Sequence, residues 1–193
     1  MTVFFDVDTQ LDFLYPAGAL YVPGAEHIVP RIAALNRYAA EHGIPVISTV
    51  DAHAENDPEF RDWPPHCVAG TAGQQKPSAT LLEKRTVIPS VPCKIQLEGI
   101  QQIVLEKQSL DSFANPNLPA LLDQLGAQHC VVYGVVTEIC VRIAAVGLLK
   151  SGRSVDVVTD AVRELDTTKC GQFFQELAAA GGCLVTSHQV TGQ

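Results

Sequence analysis

The segment 129–149, HCVVYGVVTEICVRIAAVGLL, places a short strand directly before a helix. Residues 129–134 are apolar on both faces, which is typical of a strand buried inside a parallel sheet. Residues 138–149 follow with apolar side chains at helical spacing, and Gly152 ends the helix. A strand, a turn and a helix in this order form the repeating unit of an α/β domain.

The same alternation recurs along the rest of the chain. Strands are predicted at residues 3–7, 44–50, 101–106, 154–159 and 182–186, and helices at residues 28–38, 118–125 and 168–180. We therefore predict an α/β fold of three layers, α/β/α, in which helices cover both faces of a mostly parallel sheet. The 193 residues, 47% of them hydrophobic, are enough for a single domain spanning 1–193.

The charge and cysteine content narrow the functional class. Lys and Arg number 13 and Asp and Glu number 21, so the formal net charge is −8, which disfavours nucleic acid and anionic membranes as partners. The sequence shows no basic leader and no apolar run near the roughly 20 residues that span a bilayer, so a cytoplasmic protein is expected. The six cysteines include no CxxC pair, and we expect them to be reduced thiols.

Residues able to do chemistry follow four of the predicted strands, at the point where each strand ends. They are Asp8, Asp51 with His53, Lys107 and Cys140. Because the carboxyl ends of parallel strands meet at one edge of the sheet, where ligands of such sheets bind, we expect these side chains to converge. The segment 51–100 is too long for an ordinary connection and is expected to contribute to the same site.

Cys140 has the position of a nucleophile near the start of a helix. The helix dipole and the ammonium of Lys107 are expected to favour its thiolate. Asp8 could accept the thiol proton and later deliver it to a leaving ammonia. Each residue also has an ordinary explanation, as a buried structural cysteine, a turn-capping aspartate or a solvated lysine.

A second group of residues suggests a metal site. Asp51 and His53 lie on the same side of an extended chain, and His66 follows thirteen residues later, with Asp57 and Glu59 between them. Oxygen and imidazole donors without a thiolate suit zinc, iron or manganese in an open site. The same residues could instead be ordinary polar groups at the protein surface.

Four motifs in this order resemble those of the isochorismatase-like cysteine hydrolases. They are DTQLDF at 8–13, WPPHCVAGTAG at 63–73, Lys107 before DSF at 111–113, and GVVTEICV at 134–141. The second of these is similar to the segment that marks the nicotinamidase and pyrazinamidase branch. The resemblance covers nearly the whole chain. It implies a six-stranded sheet in the order 3-2-1-4-5-6 and a cis peptide bond at Val135–Val136.

The resemblance also implies the site and the activity. The implied reaction converts nicotinamide, or a similar small amide, to the carboxylic acid and ammonia through a thioester, in a metal-dependent homodimer or homotetramer. Zinc is the first choice of metal, and iron or manganese would also fit. The implied catalytic triad is Asp8, Lys107 and Cys140, and the implied oxyanion hole is formed by the amides of Val136 and Cys140. Phe13 and Trp63 are expected to flank the ring of the substrate. The implied metal ligands are Asp51, His53 and His66, with Glu59 as the first choice and Asp57 as the second choice of fourth ligand.

Three departures from the family pattern leave the substrate open. Residues 108–117 are shorter than the glycine-containing loop expected of nicotinamidases, residues 83–99 have no assigned place, and Leu11 stands where relatives carry a polar residue. A carbamoyl or ureido compound could therefore be the substrate in place of nicotinamide. The chain could also be an isochorismatase-type enzyme that cleaves a vinyl ether, or a non-enzymatic homologue in which Cys140 serves as an oxidisable thiol.

Overall fold

The computed structural model describes residues 1–192, and a seven-stranded sheet forms its centre. Every recorded pairing between its strands is parallel. The central strands are buried along nearly their whole length on both faces, so helices cover both sides of the sheet. The strands are β1 Thr2–Val7, β2 Val46–Asp51, β3 Arg85–Ile88, β4 Gln102–Lys107, β5 His129–Val135, β6 Ser154–Arg163 and β7 Cys183–Val185.

The sheet has one strand more than predicted. Its order is β3-β4-β2-β1-β5-β6-β7, so the six predicted strands are present in the predicted order and β3 is added at one edge. The sequence did not reveal β3 because it has only four residues, most of them not buried. An edge strand pairs on one side only and needs no continuous apolar run.

The helices of the described chain pack in two groups. α2 packs against β1, β2 and β6 together with α6, whereas α4 packs against β6 and α5. The predicted helix 138–149 is a π-helical turn, Thr137–Val141, continued by α4. No helix within residues 1–192 is both long enough and apolar enough to cross a membrane. The helices are α1 Leu11–Leu14, α2 Val29–Glu41, α3 Leu118–Gln124, α4 Arg142–Lys150, α5 Thr167–Ala179 and α6 Ser187–Thr191.

Strand order and register bring four chain segments to the same edge of the sheet. β4, β2, β1 and β5 are consecutive neighbours, and Asp51 at the end of β2 pairs in register with Lys107 at the end of β4. Asp8 follows the last residue of β1 with a positive φ of 50°, which turns the chain out of the strand. The convergence expected from the sequence is therefore present in the backbone.

Gly134 lets β5 lie against the end of β1. It pairs with Val7, has a φ of +123°, and a Cβ atom added here would lie 2.1 Å from the Val7 carbonyl oxygen. The pairing of β5 with β6 shifts register between Val132 and Gly134. The Val135–Val136 peptide bond, one residue further along the chain, is cis. This confirms the position implied by the family resemblance.

Replacing Gly134 by alanine should destabilise the protein far more than the same change at a positive-φ glycine with free space around it. Gly43 is the matched control, because its φ is +66° and a Cβ there meets no atom within 4 Å. We expect Gly43→Ala to lower the free energy of unfolding by about 1 kcal/mol. Gly134→Ala should lower it by about 3 kcal/mol or more, because the clash involves backbone atoms that cannot rotate away. Urea unfolding measures both, and equal midpoints for the two variants would contradict this account.

Candidate active site

A buried ammonium group lies between two buried carboxylates at the edge where the strands end. Lys107 Nζ is 2.9 Å from Asp8 Oδ2 and 2.5 Å from Asp51 Oδ1. The second oxygen of Asp8 accepts a hydrogen bond of 2.6 Å from Thr49 Oγ1. Asp8, Asp51 and Lys107 are each at most 2% exposed. The structure thus brings together three of the residues singled out in the sequence.

The two carboxylates determine the charge of Lys107. Burial alone would lower the pKa of Lys107, but Asp51 and Asp8 raise that pKa well above its ordinary value, so the group is an ammonium. Burial raises the pKa of Asp51 to about 6, although Lys107 acts in the opposite direction. The ammonium therefore compensates the charge that two closely packed carboxyl groups bring into this buried cluster.

Cys140 lies in the π-helical turn and lines the pocket above this cluster. Burial raises the pKa of its thiol well above the ordinary value, Lys107 lowers that pKa, and the Asp8 carboxylate raises it further by charge and by a hydrogen bond. The expectation of a favoured thiolate was wrong, because burial outweighs the helix N-terminus and the ammonium. The protonated thiol of Cys140 is therefore the favoured form in this buried site.

Three donor atoms converge beside this cluster. Ligand atoms of Asp51, His53 and His66 all lie within 4.8 Å of one another. Asp51 Oδ2 is 3.9 Å from His53 Nε2 and 3.8 Å from His66 Nε2. A tetrahedral ion with ligand distances of about 2.1 Å needs donors about 3.4 Å apart. The two distances from Asp51 would have to shorten by a few tenths of an ångström, and the distance between the imidazole nitrogens, which is at most 4.8 Å, by up to about 1.4 Å.

The other nitrogen of each imidazole faces a nearby oxygen atom. His53 Nδ1 lies 3.0 Å from Asp57 Oδ2, and His66 Nδ1 donates to the Pro64 carbonyl oxygen at 2.7 Å. His53 Nε2 is buried and has no hydrogen-bond partner within residues 1–192. Burial lowers the pKa of His66, which favours the neutral imidazole that binds metals. Both Nε2 atoms are therefore free to bind an ion.

The candidates for a fourth ligand take different positions. Glu59 Oε1 lies 3.9 Å from Nε2 of His53 and 3.9 Å from Nε2 of His66. These are the same two nitrogens that face Asp51. Asp57 Oδ2 contacts His53 Nδ1, the ring nitrogen that points away from the other donor atoms. Asp57 is therefore placed to orient the His53 ring, and the structure does not place Asp57 as a ligand. The second choice made from the sequence is corrected accordingly, and Glu59 remains the predicted fourth ligand.

The pocket above both clusters is mainly apolar. Phe13 and Trp63, predicted to flank a substrate ring, line it together with Val136 and Cys140. The roles of the amides of Val136 and Cys140 as an oxyanion hole remain a prediction. Sequence reasoning missed six further lining residues, because they lie in connections or point inward from a turn without a periodic pattern. They are Leu20, Tyr21, Val22, Leu110, Ile139 and Leu165.

Gln10 is a further residue that the sequence reasoning missed. Its Nε2 donates to the Asp51 carbonyl oxygen at 2.8 Å, and its Oε1 accepts from the Asp51 amide at 2.7 Å. These paired bonds hold the backbone of Asp51 against the turn that follows β1. The signal was available, since Gln10 lies two residues after Asp8 within the motif DTQLDF.

Comparisons with known proteins agree with this fold. The chain is 27% identical to a nicotinamidase of Escherichia coli, over 93% of this chain and 92% of the relative. It is 26% identical to a maleamate amidohydrolase of Pseudomonas putida, over 81% of this chain and 69% of the relative. A crystal structure of the pyrazinamidase of Pyrococcus horikoshii in complex with zinc superposes with a TM-score of 0.82 at 28% identity, covering 96% of this chain and 98% of that one. The isochorismatase domain model matches residues 2–189, and this chain therefore belongs to the isochorismatase family.

Proposed function

We propose that this chain is a metal-dependent cysteine amidohydrolase that converts nicotinamide, or a similar small neutral amide, to the carboxylic acid and ammonia. The observation that carries the proposal is the convergence of two groups of residues at one pocket. Cys140 lines this pocket together with Asp51 and His66. Asp51 and Asp8 hold the ammonium of Lys107, and Asp51 also faces the imidazoles of His53 and His66. Hydrolysis of amide carbon–nitrogen bonds is the enzyme class of the relatives from Escherichia coli and Pseudomonas putida. The proposed homo-oligomer remains a prediction.

Asp8 and Cys140 carry the first half of the reaction. Cys140 Sγ forms a bond to the carboxamide carbon while its proton passes to Asp8, and the carbonyl oxygen becomes an oxyanion. The oxyanion collapses, the carbon–nitrogen bond breaks, and Asp8 gives the proton to the departing ammonia. The ammonium of Lys107, 2.9 Å from Asp8 Oδ2, holds the Asp8 carboxyl group in place for this transfer.

Water completes the reaction. A water molecule loses a proton to Asp8 and attacks the thioester carbon, and Cys140 leaves and is returned to its thiol form. The net change is one amide and one water converted to one acid and one ammonia. The amides of Val136 and Cys140 are proposed to donate to the oxyanion in both halves.

The residues present fit a divalent metal, with zinc as first choice. Two imidazole nitrogens without competing partners and one carboxylate oxygen meet at a buried point, and Glu59 approaches both rings. This donor set is typical of zinc and also suits iron or manganese. A bound ion would supply a Lewis-acidic position that orients a ring nitrogen of the substrate beside Cys140.

The pocket favours a neutral substrate. None of its lining residues within the described chain is a lysine or an arginine, and the nearby Lys107 is neutralised by Asp8 and Asp51. The carboxylate of maleamate, and the two carboxylates of isochorismate, would lose hydration here without finding a lysine or arginine side chain to pair with. Aromatic side chains on the wall suit a flat heteroaromatic ring instead.

The proposed reaction is tested by ammonia release from nicotinamide, pyrazinamide, maleamate and N-carbamoyl amino acids with the zinc-loaded protein. We expect turnover of the two neutral ring amides and little of the anionic ones. Cys140→Ala should lower the rate on the order of a thousandfold or more. Cys130→Ala is the matched control, because Cys130 is equally buried but lies in the middle of the sheet in β5. Full activity of Cys140→Ala would exclude the cysteine mechanism, and turnover of maleamate alone would exclude the proposed substrate class.

The metal site is tested by binding, without reference to activity. We expect His53→Ala to weaken zinc binding by about a hundredfold or more, because a ligand is lost. Asp57→Asn should weaken it by about tenfold, because the orienting contact to His53 Nδ1 changes. His129→Ala is the control, since His129 pairs with Asp156 at the amino end of β5, away from the site. Titration with a chromophoric zinc chelator measures all four proteins, and equal affinity in His53→Ala and wild type would refute the site.

A further inference from the structure

Glu138 lies two residues before Cys140 in the same π-helical turn, and the proposed reaction does not use it. Its Oε1 accepts two backbone hydrogen bonds, from Leu165 N at 3.0 Å and from Asp166 N at 2.8 Å. Its second oxygen, Oε2, is buried and has no hydrogen-bond partner within residues 1–192. One oxygen of this side chain therefore connects the turn of the nucleophile to a distant part of the chain.

The segment that Glu138 holds forms part of the pocket wall. Leu165 lines the pocket with Cys140 and is 48% exposed, so it lies at the mouth. Asp166, the next residue, caps the start of α5 by accepting hydrogen bonds from the amides of Thr168 and Lys169. The short connection between β6 and α5 is therefore anchored at the residue that follows Leu165.

A second contact joins the same connection to the opposite stretch of the wall. Arg163, the last residue of β6, donates from Nε to the Pro23 carbonyl oxygen at 2.9 Å. Its guanidinium lies so close to Gly24 that a Cβ at Gly24 would be 2.9 Å from Nη2. Residues 20–22, just before this contact, also line the pocket. Two loops of the wall thus meet at the segment 163–166.

We propose that Glu138 is a positioning residue that fixes this wall relative to Cys140 and so sets the affinity for the ring of the substrate. The proposal rests on the proposed amidase function. Without the two hydrogen bonds, no other side-chain hydrogen bond or ion pair within residues 1–192 joins the connection between β6 and α5 to the turn that carries the nucleophile. Leu165 would then be free to move away from the ring, whereas Cys140, Asp8 and Lys107 keep their own contacts.

The test compares Glu138→Ala, Glu138→Gln and Leu165→Ala with wild type. In Glu138→Gln, the remaining side-chain oxygen can still accept from the amides of Leu165 and Asp166. The NH₂ group takes the place of Oε2, which has no hydrogen-bond partner within residues 1–192. This variant should therefore behave as wild type. Leu165→Ala removes the wall side chain itself but keeps both backbone hydrogen bonds to Glu138, so it should reproduce the rise in KM without the rise in hydrogen exchange. Glu176→Ala is the control, because Glu176 is a carboxylate of α5 that pairs with Arg142 at the surface and does not line the pocket.

Four quantities are measured: hydrogen exchange at the amides of Leu165 and Asp166, the rate of Cys140 alkylation by iodoacetamide, kcat for nicotinamide, and KM for nicotinamide. In Glu138→Ala we expect exchange and KM to rise by about tenfold, which is the size expected for lost hydrogen bonds to a charged group. Alkylation and kcat should stay within about twofold of wild type, because they report on the nucleophile alone.

Unchanged exchange and unchanged KM in Glu138→Ala would overturn the proposal. A fall in kcat and alkylation with KM preserved would also overturn it, because Glu138 would then serve the nucleophile. If Glu138→Ala does not fold, Leu165→Ala and Glu138→Gln decide, and a wild-type KM in Leu165→Ala would refute the role of the wall. If wild type does not hydrolyse nicotinamide, the amidase proposal fails, while exchange at Leu165 and Asp166 still shows whether Glu138 holds the segment.

Discussion

The site depends on one buried ammonium group that lies between two buried carboxylates. Lys107 contacts Asp8 through one oxygen and Asp51 through another, and all three side chains are removed from water. A buried charge is tolerated only when it is paired, so the ammonium of Lys107 needs a carboxylate beside it in the interior. The register between β2 and β4, which sets Asp51 opposite Lys107, is what makes this pairing possible. Chemistry and fold are therefore specified by the same contacts.

Asp51 divides its two oxygens between the two halves of the site. Oδ1 contacts Lys107, and Oδ2 faces the imidazole nitrogens of His53 and His66. Gln10 fixes the backbone of Asp51 from the turn after β1. One carboxylate thus keeps the proposed metal site at a set distance from the proposed catalytic groups, and both open into the pocket that Cys140 lines.

Much of this arrangement could be predicted from the sequence, and the rest follows physical rules that a sequence does not display. Continuous apolar runs identified six strands, the family resemblance implied their order, and residues at strand ends identified the candidate site. The edge strand β3 was missed because four partly exposed residues produce no such pattern. The wall residues Tyr21 and Leu165 lie in connections, where no periodicity marks an inward-facing side chain. The ionisation of Cys140 was misjudged because the sequence shows its nearness to a helix start but not the depth of its burial.

The central claim is that Asp51 serves an ammonium and a metal at once, and anomalous diffraction from crystals soaked in zinc tests it most directly. The account predicts one strong anomalous peak at the zinc edge, in contact with Asp51 Oδ2, His53 Nε2 and His66 Nε2, with Lys107 Nζ still bound to Asp51 Oδ1. A peak elsewhere, or an Asp51 that turns both oxygens to the ion and releases Lys107, would contradict it.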